Sequence, residues 1–459
     1  MIHRYQKKGL NFVLDVNSGA VHLLDDISYA VSGLLDENMG DTCPQSIIDA
    51  LPDYTADEIR EAYDELYELK KAGQLFAQDD YIDVSRYIPV NAPVKALCLH
   101  VAHDCNLRCK YCFASTGDFG QGRKIMPPEI AKKAIDFVIA RSGVRHNIEV
   151  DFFGGEPLMA WDTVTQTVDY ARSLEEKHNK KFRFTITTNG LLLDEDKRKY
   201  INENMDNCVL SLDGRREVND EFRKTVAGTG SYDTIVPKFK ALVDERAPNL
   251  DYYARGTFTS HNLDFAEDVL SIADAGFDRL SVEPVTADPG CGYDLTEDDL
   301  PKIEAEYDRL TDIMLERKKE GKPFTFFHFM VDLDQGPCVV KRLRGCGAGY
   351  EYVAVTPDGD IYPCHQFVGK DEFKQGSVLD QSFNMDIAQK FAGMNIYSRP
   401  KCQKCWAKFY CSGGCSAANY NMNHDMNDSY DLGCEMERKR LECAIYLKAM
   451  DKICANQSK

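Results

Sequence analysis

Apolar runs and amphipathic repeats alternate along the middle of the chain. Runs with the composition of buried strands lie near residues 96–102, 148–153, 182–188, 207–213, 252–259 and 279–285. Segments with helical spacing lie between them, for example residues 128–139 and 232–243. This alternation predicts six parallel βα units, and therefore an α/β fold, over residues 91–320.

The first ninety residues show a different pattern. Two short apolar runs, at residues 11–16 and 20–24, flank a turn at residues 17–19, which predicts a β-hairpin. Helical spacing follows at residues 27–35 and 46–51, and Thr55 begins an N-cap box that starts a third helix, ending near Lys71. We predict a small domain of one hairpin and three helices at residues 1–90, with residues 77–93 as the linker.

Composition and charge narrow the possible functions. The 459 residues are 43% hydrophobic and 28% charged, which is ordinary for a globular protein. The 74 acidic and 55 basic residues give a net charge of −19, which argues against general nucleic-acid binding and would tolerate a basic peptide partner. Because the sequence shows neither a signal peptide nor an apolar run of membrane-spanning length, we expect a cytoplasmic protein without a membrane partner.

Cysteine is abundant, at 17 residues, and much of it is tightly clustered. In a chain that is not secreted, such clusters indicate metal or iron–sulfur ligation and not disulfides. Cys105, Cys109 and Cys112 follow the first predicted strand with the spacing C-x3-C-x2-C. Three thiols this close can bind three irons of a four-iron cubane and leave the fourth open for a small molecule. The alternatives are a zinc site and unrelated core cysteines.

A second array of cysteines occupies the C-terminal region. Cys346 is followed by Gly359 and Cys364, and a later block contains Cys402, Cys405, Cys411, Cys415 and Cys434. Ten cysteines in the two arrays are about what three cubanes need. Taken alone, Cys402 to Cys415 would fit a zinc knuckle equally well.

The first motif resembles the signature of the radical S-adenosylmethionine (SAM) superfamily, C-x3-C-x-aromatic-C, with Tyr111 at the aromatic position. The resemblance implies a partial (β/α)6 TIM barrel in which Cys105, Cys109 and Cys112 hold a catalytic [4Fe–4S] cluster. It also implies that SAM chelates the open iron and yields a 5′-deoxyadenosyl radical that abstracts hydrogen from the substrate. Further SAM contacts are implied at matching positions after the strands: Gly154, Gly155 and Glu156 of the GGEP motif, Asn189, Ser211, Asp213, Arg255 and Glu283.

The resemblance gives some of these residues particular partners. The glycines would let the backbone approach the ligand, and Glu156 would accept a hydrogen bond from the SAM ammonium group. Arg255 would pair with the SAM carboxylate, and Glu283 would lie near the adenine.

The C-terminal array resembles the SPASM extension, which is expected at residues 321–459. The resemblance implies a distal auxiliary cluster on Cys402, Cys405, Cys411 and Cys434. It implies a proximal auxiliary cluster on Cys346, Cys364 and Cys415, for a total of three [4Fe–4S] clusters. Cys338 lies where some relatives place a fourth proximal ligand, and we expect it to be displaceable or absent from the cluster.

The N-terminal domain resembles the winged-helix-like recognition element of enzymes that modify ribosomally made peptides. The resemblance implies that it binds a leader peptide as an added strand. A structural cap on the barrel is the alternative. A DNA-binding winged helix is disfavoured because residues 53–68 are mostly acidic.

The three regions, in this order, resemble peptide maturases and most of all those that act on SCIFF peptides. The resemblance implies a thioether bond between a cysteine sulfur and a carbon of an acceptor residue, with a precursor peptide and a flavodoxin- or ferredoxin-type electron donor as partners. One alternative is a sulfatase-type maturase that makes formylglycine. Those relatives carry an acidic base after the cysteine matching Cys364, where this chain has His365. The other alternative is a non-catalytic iron–sulfur redox or sensor protein.

Overall fold

The protein is described by a computed structural model that covers residues 1–87, 92–333 and 339–457. Its contacts divide the chain into two compact units. One contains residues 1–88, 329–345 and 395–459, and the other contains residues 89–328 and 346–394. Cys338 and part of the predicted linker lie outside the described residues.

The strands of the described residues form three sheets. In chain order they are β1 (Ile2–Lys7), β2 (Leu10–Asp15), β3 (Val21–Leu24), β4 (Ala96–His103), β5 (Leu107–Cys109), β6 (Lys124–Ile125), β7 (Asn147–Gly154), β8 (Lys181–Thr188), β9 (Asn207–Ser211), β10 (Arg223–Thr225), β11 (Asp251–Phe258), β12 (Arg279–Pro284), β13 (Thr325–Phe326), β14 (Tyr352–Val355), β15 (Asp360–Tyr362), β16 (Gly376–Ser377) and β17 (Ser382–Phe383).

The α-helices connect or follow these strands. They are α1 (Asp26–Ser32), α2 (Gln45–Ala50), α3 (Ala56–Lys71), α4 (Tyr81–Tyr87), α5 (Pro128–Arg141), α6 (Trp161–His178), α7 (Glu195–Asn204), α8 (Arg216–Phe222), α9 (Tyr232–Asp244), α10 (Phe265–Asp274), α11 (Leu300–Lys319), α12 (Val339–Arg344), α13 (Met385–Gly393), α14 (Pro400–Gln403), α15 (Lys408–Cys411), α16 (Ser416–Asn423) and α17 (Asp431–Gln457). Among the described residues, none of these helices combines the length and apolar composition needed to cross a membrane.

The barrel sheet contains all six strands that the apolar runs predict. They pair in parallel in the order β12-β11-β9-β8-β7-β4, and the sheet is open. Alternate side chains of β7 and β8 are buried on the helix-covered face, so the opposite row faces the barrel interior. The α/β prediction is therefore confirmed, and the carboxyl ends of these strands meet at one edge, where such folds place their sites.

A C-terminal segment extends the same sheet at its other edge. β14 pairs in parallel with β4, placing Ala354 opposite Cys98, and β15 to β17 follow in antiparallel order. The sequence pattern did not predict this addition, because β14 is short and lies far along the chain from its partner. The segment before Cys364 is thus hydrogen-bonded to the strand that leads into the Cys105 motif.

The N-terminal domain has one strand more than the hairpin predicts. β1, β2 and β3 form an antiparallel sheet in that order, and α1 to α3 follow, with α3 starting at the Thr55–Glu58 capping box as predicted. β1 escaped prediction because its sequence, Ile2-His-Arg-Tyr-Gln-Lys7, is mostly polar. The Tyr5 hydroxyl donates to the Glu442 carbonyl (3.2 Å), so long-range contacts with α17 compensate for the weak pattern.

Candidate active site and cysteine clusters

The loop with Cys105, Cys109 and Cys112 follows β4 directly and is held by a second segment of the barrel. Its β5 strand pairs antiparallel with β10, so that Cys109 lies opposite Arg223. The Lys110 amide also donates to the Phe222 carbonyl (3.0 Å). Main-chain hydrogen bonds therefore order this loop before any cofactor is considered.

Tyr111, at the aromatic position of the motif, is anchored by a buried ion pair. Its hydroxyl donates to Asp213 (2.6 Å) and accepts from the Arg223 guanidinium (2.8 Å). Asp213 is 1% exposed and also accepts from the Thr257 amide (3.2 Å). Asp213 thus holds the cluster loop through Tyr111, and its implied contact with SAM stays a prediction. Arg223 was not predicted, since a lone arginine at a helix end carries no sequence signal.

Replacing Tyr111 with phenylalanine should loosen this loop. The change leaves Oδ2 of the buried Asp213 carboxylate without its hydrogen-bond donor, while Oδ1 keeps the Thr257 amide, and an unsatisfied buried acceptor costs about 1–3 kcal/mol. We expect a lower melting temperature and reduced iron incorporation. Tyr293→Phe is the matched control, because the Tyr293 hydroxyl donates to the Lys110 carbonyl (3.0 Å) at an exposed place in the same loop. Equal effects of the two variants on iron incorporation would contradict the anchoring role.

The two glycines of the GGEP motif allow β7 to approach the end of β4. A Cβ atom on Gly154, whose φ is +125°, would lie 2.2 Å from the Ala102 carbonyl oxygen, and one on Gly155 would lie 2.1 Å from that of Asp104. The close contact seen is therefore with the backbone that leads into Cys105, and the implied approach of these glycines to the ligand stays a prediction. Glycine at both positions sets the distance between the second strand and the cluster loop.

Glu156 is hydrogen-bonded to the end of the neighbouring strand, β8. One carboxylate oxygen accepts from the Leu158 amide (3.0 Å) and the Thr188 hydroxyl (2.8 Å), and the other accepts from the Asn189 amide (2.7 Å). Burial raises the pKa of Glu156 to about 7, although these donors oppose the shift. Each carboxylate oxygen can still accept another hydrogen bond, so the contacts seen are compatible with the implied bond from the SAM ammonium group. That bond stays a prediction.

Asn189 reaches from this strand end back to the cysteine motif. Its side-chain amide donates to the Asn106 side chain (2.7 Å) and lies 3.6 Å from the Cys105 sulfur. The structure thus brings Asn189 to the cluster loop, and its implied contact with SAM stays a prediction.

One cavity of about 620 Å³ joins most of the predicted site. The thiols of the motif, Tyr111, the GGEP residues, Asn189, Ser211, Arg255 and Glu283 all line it. Arg255 forms an ion pair with Glu283, so these two predicted SAM contacts face each other across adjacent strands. The cavity is therefore lined by the three motif cysteines and by all the predicted SAM contacts except Asp213. It is large enough for a nucleotide-sized ligand.

A second wall of the same cavity, which we call the lower wall, is formed by polar residues within the strands and beside them. The sequence did not predict it. Cys98, Asp151, Thr185 and Asn207 line it, together with Tyr352 and His365. The Tyr352 hydroxyl lies 3.4 Å from Nδ1 of His365. Burial lowers the pKa of His365 to about 4, so its imidazole is neutral near pH 7. Single polar residues inside a strand pattern give no signal until the register of the sheet is known.

The motif thiols suit iron–sulfur ligation. In the metal-free protein, burial raises the pKa of Cys105 to about 12 and that of Cys109 to about 11. The nearby Arg223 opposes the shift at Cys109. Thiolates at these positions therefore need a bound cation to form, as iron would provide. Cys105, Cys109 and Cys112 would hold such a cluster at the cavity wall.

The second cysteine block surrounds a cavity of its own. Cys402, Cys405, Cys411 and Cys434 all line a space of about 210 Å³. Lys408 and Arg438 line it as well, and the Arg438 guanidinium lies 4.0 Å from the Cys405 sulfur. Burial raises the pKa of Cys434 to about 11, whereas Arg438 opposes that shift. Four thiols with cations nearby fit the predicted distal cluster, whose anionic sulfurs such cations stabilise.

Within the described ranges, no three His, Cys, Asp or Glu side chains converge as ligands of a single metal ion. The four thiols line one cavity, and the distal cluster that they are expected to hold stays a prediction, as does the zinc alternative.

The remaining predicted ligands are distributed over both compact units. Cys346 is exposed and Cys364 buried in one unit, and Cys415 is exposed in the other. Cys338 lies outside the described residues. The proximal cluster and its open or capped iron therefore stay predictions.

The N-terminal domain and the second cysteine block belong to the same compact unit. His3 stacks on Trp406, which follows Cys405, with ring centroids 3.7 Å apart. Asp79 accepts from Lys408 (2.6 Å) and from the Tyr397 hydroxyl (2.5 Å). The cysteine cavity is thus packed directly against the first segment of the chain.

Comparisons with known proteins agree with this geometry. Residues 99–254 match the family model of the Radical SAM superfamily, and residues 346–406 match that of the SPASM iron–sulfur cluster-binding domain. A cysteine-type anaerobic sulfatase-maturating enzyme from Clostridium novyi is 25% identical over 354 residues, which are 72% of this chain and 90% of that enzyme.

Two solved structures share the fold. Native anSMEcpe with bound AdoMet and the Kp18Cys peptide superposes with a TM-score of 0.62, at 21% identity over 78% of this chain and 99% of that one. Streptococcus suis SuiB bound to precursor peptide SuiA gives a TM-score of 0.53, at 17% identity over 94% of this chain and 98% of that one. The chain therefore carries a radical SAM domain followed by a SPASM iron–sulfur domain.

Proposed function

We propose that this protein is a peptide maturase that uses SAM and iron–sulfur clusters to form a thioether in a cysteine-rich, ribosomally made peptide. The carrying observation is the single cavity that joins the thiol motif, the GGEP residues and a polar lower wall. A redox or sensor protein has no need of such a space. The sulfatase-maturating enzyme and the peptide-bound structures among the relatives support a peptide substrate.

Different residues of the cavity would bind the cluster and SAM. Cys105, Cys109 and Cys112 would hold the cluster, and Asn189, Ser211, Arg255 and Glu283 would contact SAM around it. When bound, SAM and its cluster supply the capacity to remove a hydrogen atom from the substrate. The protein contributes a rigid loop, a space that restricts water, and a wall against which the peptide is oriented.

Two products are supported equally by the relatives. A thioether maturase keeps the cysteine sulfur in the peptide, whereas a formylglycine-forming maturase removes it. His365 in place of an acidic residue favours the thioether, and the similarity to the sulfatase-maturating enzyme favours formylglycine. Mass spectrometry of reacted cysteine-containing peptides decides between them, because the thioether loses two hydrogen atoms and keeps sulfur.

The N-terminal domain would bind the leader of the precursor peptide. β3 is an outer strand of the three-stranded sheet, and its Leu23 is 42% exposed. The outer strand at the opposite edge, β1, contacts α17. β3 is therefore the edge at which an incoming strand could add main-chain hydrogen bonds, with Leu23 as an apolar contact.

Leu23→Ser should weaken leader binding without affecting SAM cleavage. Full burial of an exposed leucine contributes about 1.5–3 kcal/mol, and because Leu23 is 42% exposed we expect about half of that, or roughly 3- to 10-fold in the dissociation constant. Fluorescence anisotropy with a labelled precursor peptide measures the effect. Leu34→Ser is the control, because Leu34 is 46% exposed in the same domain but lies outside β3. Equal peptide binding by both variants would indicate that this domain has only a structural role.

A further inference from the structure

A row of polar side chains crosses four adjacent strands at the lower wall of the cavity. The sheet register places Cys98 of β4 opposite Asp151 of β7, Asp151 opposite Thr185 of β8, and Thr185 opposite Asn207 of β9. All four residues line the cavity. Residues in one register row point to the same side of a sheet, so this row forms a continuous polar strip inside the barrel.

Four carboxylates line this cavity, and Asp151 differs from two of them, Glu156 and Glu283, in its partners, and from the third, Glu149, in that Glu149 is exposed. Glu156 is occupied by three protein donors, and Glu283 is paired with Arg255. Asp151 accepts a hydrogen bond from the Thr185 side chain, and no ion pair in the described part of the chain includes it. Its carboxylate is therefore available to a molecule that enters the cavity.

A series of polar contacts leads from the neighbours of Asp151 to His365. Tyr352 hydrogen-bonds with the Cys98 thiol, and its hydroxyl lies 3.4 Å from Nδ1 of His365. His365 itself packs against the rings of Phe113 and Phe153, with centroids 5.4 and 5.1 Å away, and these two rings also stack on each other. The polar strip is thus bordered by an aromatic wall on the side of the cluster loop.

We propose that Asp151 is the base that accepts the proton of the substrate cysteine thiol. The inference rests on the proposed function, because it takes a peptide thiol as the substrate. The S–H bond breaks, its electron pair stays on sulfur, and the proton passes to the Asp151 carboxylate, which becomes a neutral acid. Both candidate products need this step, so the assignment does not depend on which one forms.

The electrostatics of the site suit a base that works near neutral pH. Burial raises the pKa of Asp151 to about 7, and the negative charge of Glu149 adds to the shift, whereas Thr185 opposes it. The Cys98 thiol and the Tyr352 hydroxyl face Asp151 from β4 and β14, and burial raises the pKa of both, so they stay neutral. Product formation should therefore fall as the pH drops below about 7, where Asp151 becomes protonated.

The test compares Asp151→Asn with Glu203→Gln, an exposed carboxylate-to-amide change on α7. The probe is a synthetic peptide library with one cysteine and one variable acceptor residue, deuterated at the cysteine Cβ in one set and at the acceptor in the other, so that either candidate product can transfer deuterium. Wild type and both variants are assayed for product and for deuterium in 5′-deoxyadenosine. We expect Asp151→Asn to transfer deuterium but to make roughly 10²- to 10⁴-fold less product per deoxyadenosine, as loss of a general base implies. Glu203→Gln should match the wild type.

The pH dependence separates a base from a structural residue. Glu149→Gln should shift the acid limb of product formation to lower pH, because it removes a charge that raises the Asp151 pKa. Asp151→Glu should restore part of the product, whereas a folding defect would not be rescued and would also lower cluster content. An unchanged ratio of product to deoxyadenosine in Asp151→Asn overturns the assignment alone. Absence of product from the wild type, with SAM still cleaved, rejects the proposed function and the assignment together.

Discussion

The triple variant Cys105→Ala, Cys109→Ala, Cys112→Ala is expected to lose one iron–sulfur cluster and all SAM cleavage. The three thiols share one loop and line one cavity, and burial raises the pKa of Cys105 and Cys109, so that ligated iron is what would make these two thiolates. Iron and sulfide analysis measures the cluster, and chromatography of 5′-deoxyadenosine after chemical reduction measures the cleavage. The residual rate should equal that of SAM without protein.

A second triple variant, Cys43→Ala, Cys208→Ala, Cys291→Ala, controls for the loss of thiols in general. Cys43 is in the N-terminal domain, Cys208 is buried in β9, and Cys291 is exposed in a loop. None of the three belongs to a predicted cluster, so iron content and SAM cleavage should stay at the wild-type level. SAM cleavage by the first variant, with its iron content reduced, would refute the assignment of the catalytic cluster.

The double variant Cys411→Ala, Cys434→Ala is expected to lose the distal cluster and to destabilise the N-terminal domain with it. Cluster ligation contributes directly to folding, on the order of several kcal/mol. The contacts of His3 with Trp406 and of Asp79 with Lys408 link that contribution to the first segment of the chain. Amide hydrogen exchange in β1 should accelerate, and the melting temperature should fall.

The three cysteines predicted to hold the catalytic cluster lie in the other compact unit, so SAM cleavage without peptide should persist in this double variant. Cys454→Ala on α17 is the control, because Cys454 lies outside the cysteine cavity and is exposed. Unchanged exchange in β1 after loss of the distal iron would show that the contacts carry little energy. Loss of SAM cleavage as well would mean that the two units do not fold independently.

Local sequence was sufficient for the barrel strands and the cysteine motifs. A buried strand needs an apolar run, and cluster ligands need short spacings, so both can be recognised within a few residues of each other. β1 shows where this fails, because its polar sequence is stabilised by contacts with α17, more than four hundred residues away. The same limit applies to β14, whose pairing with β4 crosses most of the chain.

The site residues also fall into those that local motifs located and those that depend on contacts between distant strands. Gly154, Glu156 and Asn189 could be located from motifs, although their observed partners are the Ala102 backbone, the Asn189 amide and Asn106. Asp213 follows the predicted strand, and its contact with Tyr111 could not be predicted from the sequence. Arg223, and the row that contains Asp151, could not be predicted, because their significance arises from the register of strands that are distant in sequence.

The pairing of β14 with β4 has a consequence for electron flow. One hydrogen-bonded ladder connects the strand before Cys105 with the β14–β15 hairpin before Cys364. A sheet ladder resists stretching far better than a loop does, so the spacing between these two thiols should stay constant when a peptide binds. Electrons that pass between centres ligated by these two thiols would therefore cross a distance that the sheet sets and that peptide binding leaves unchanged.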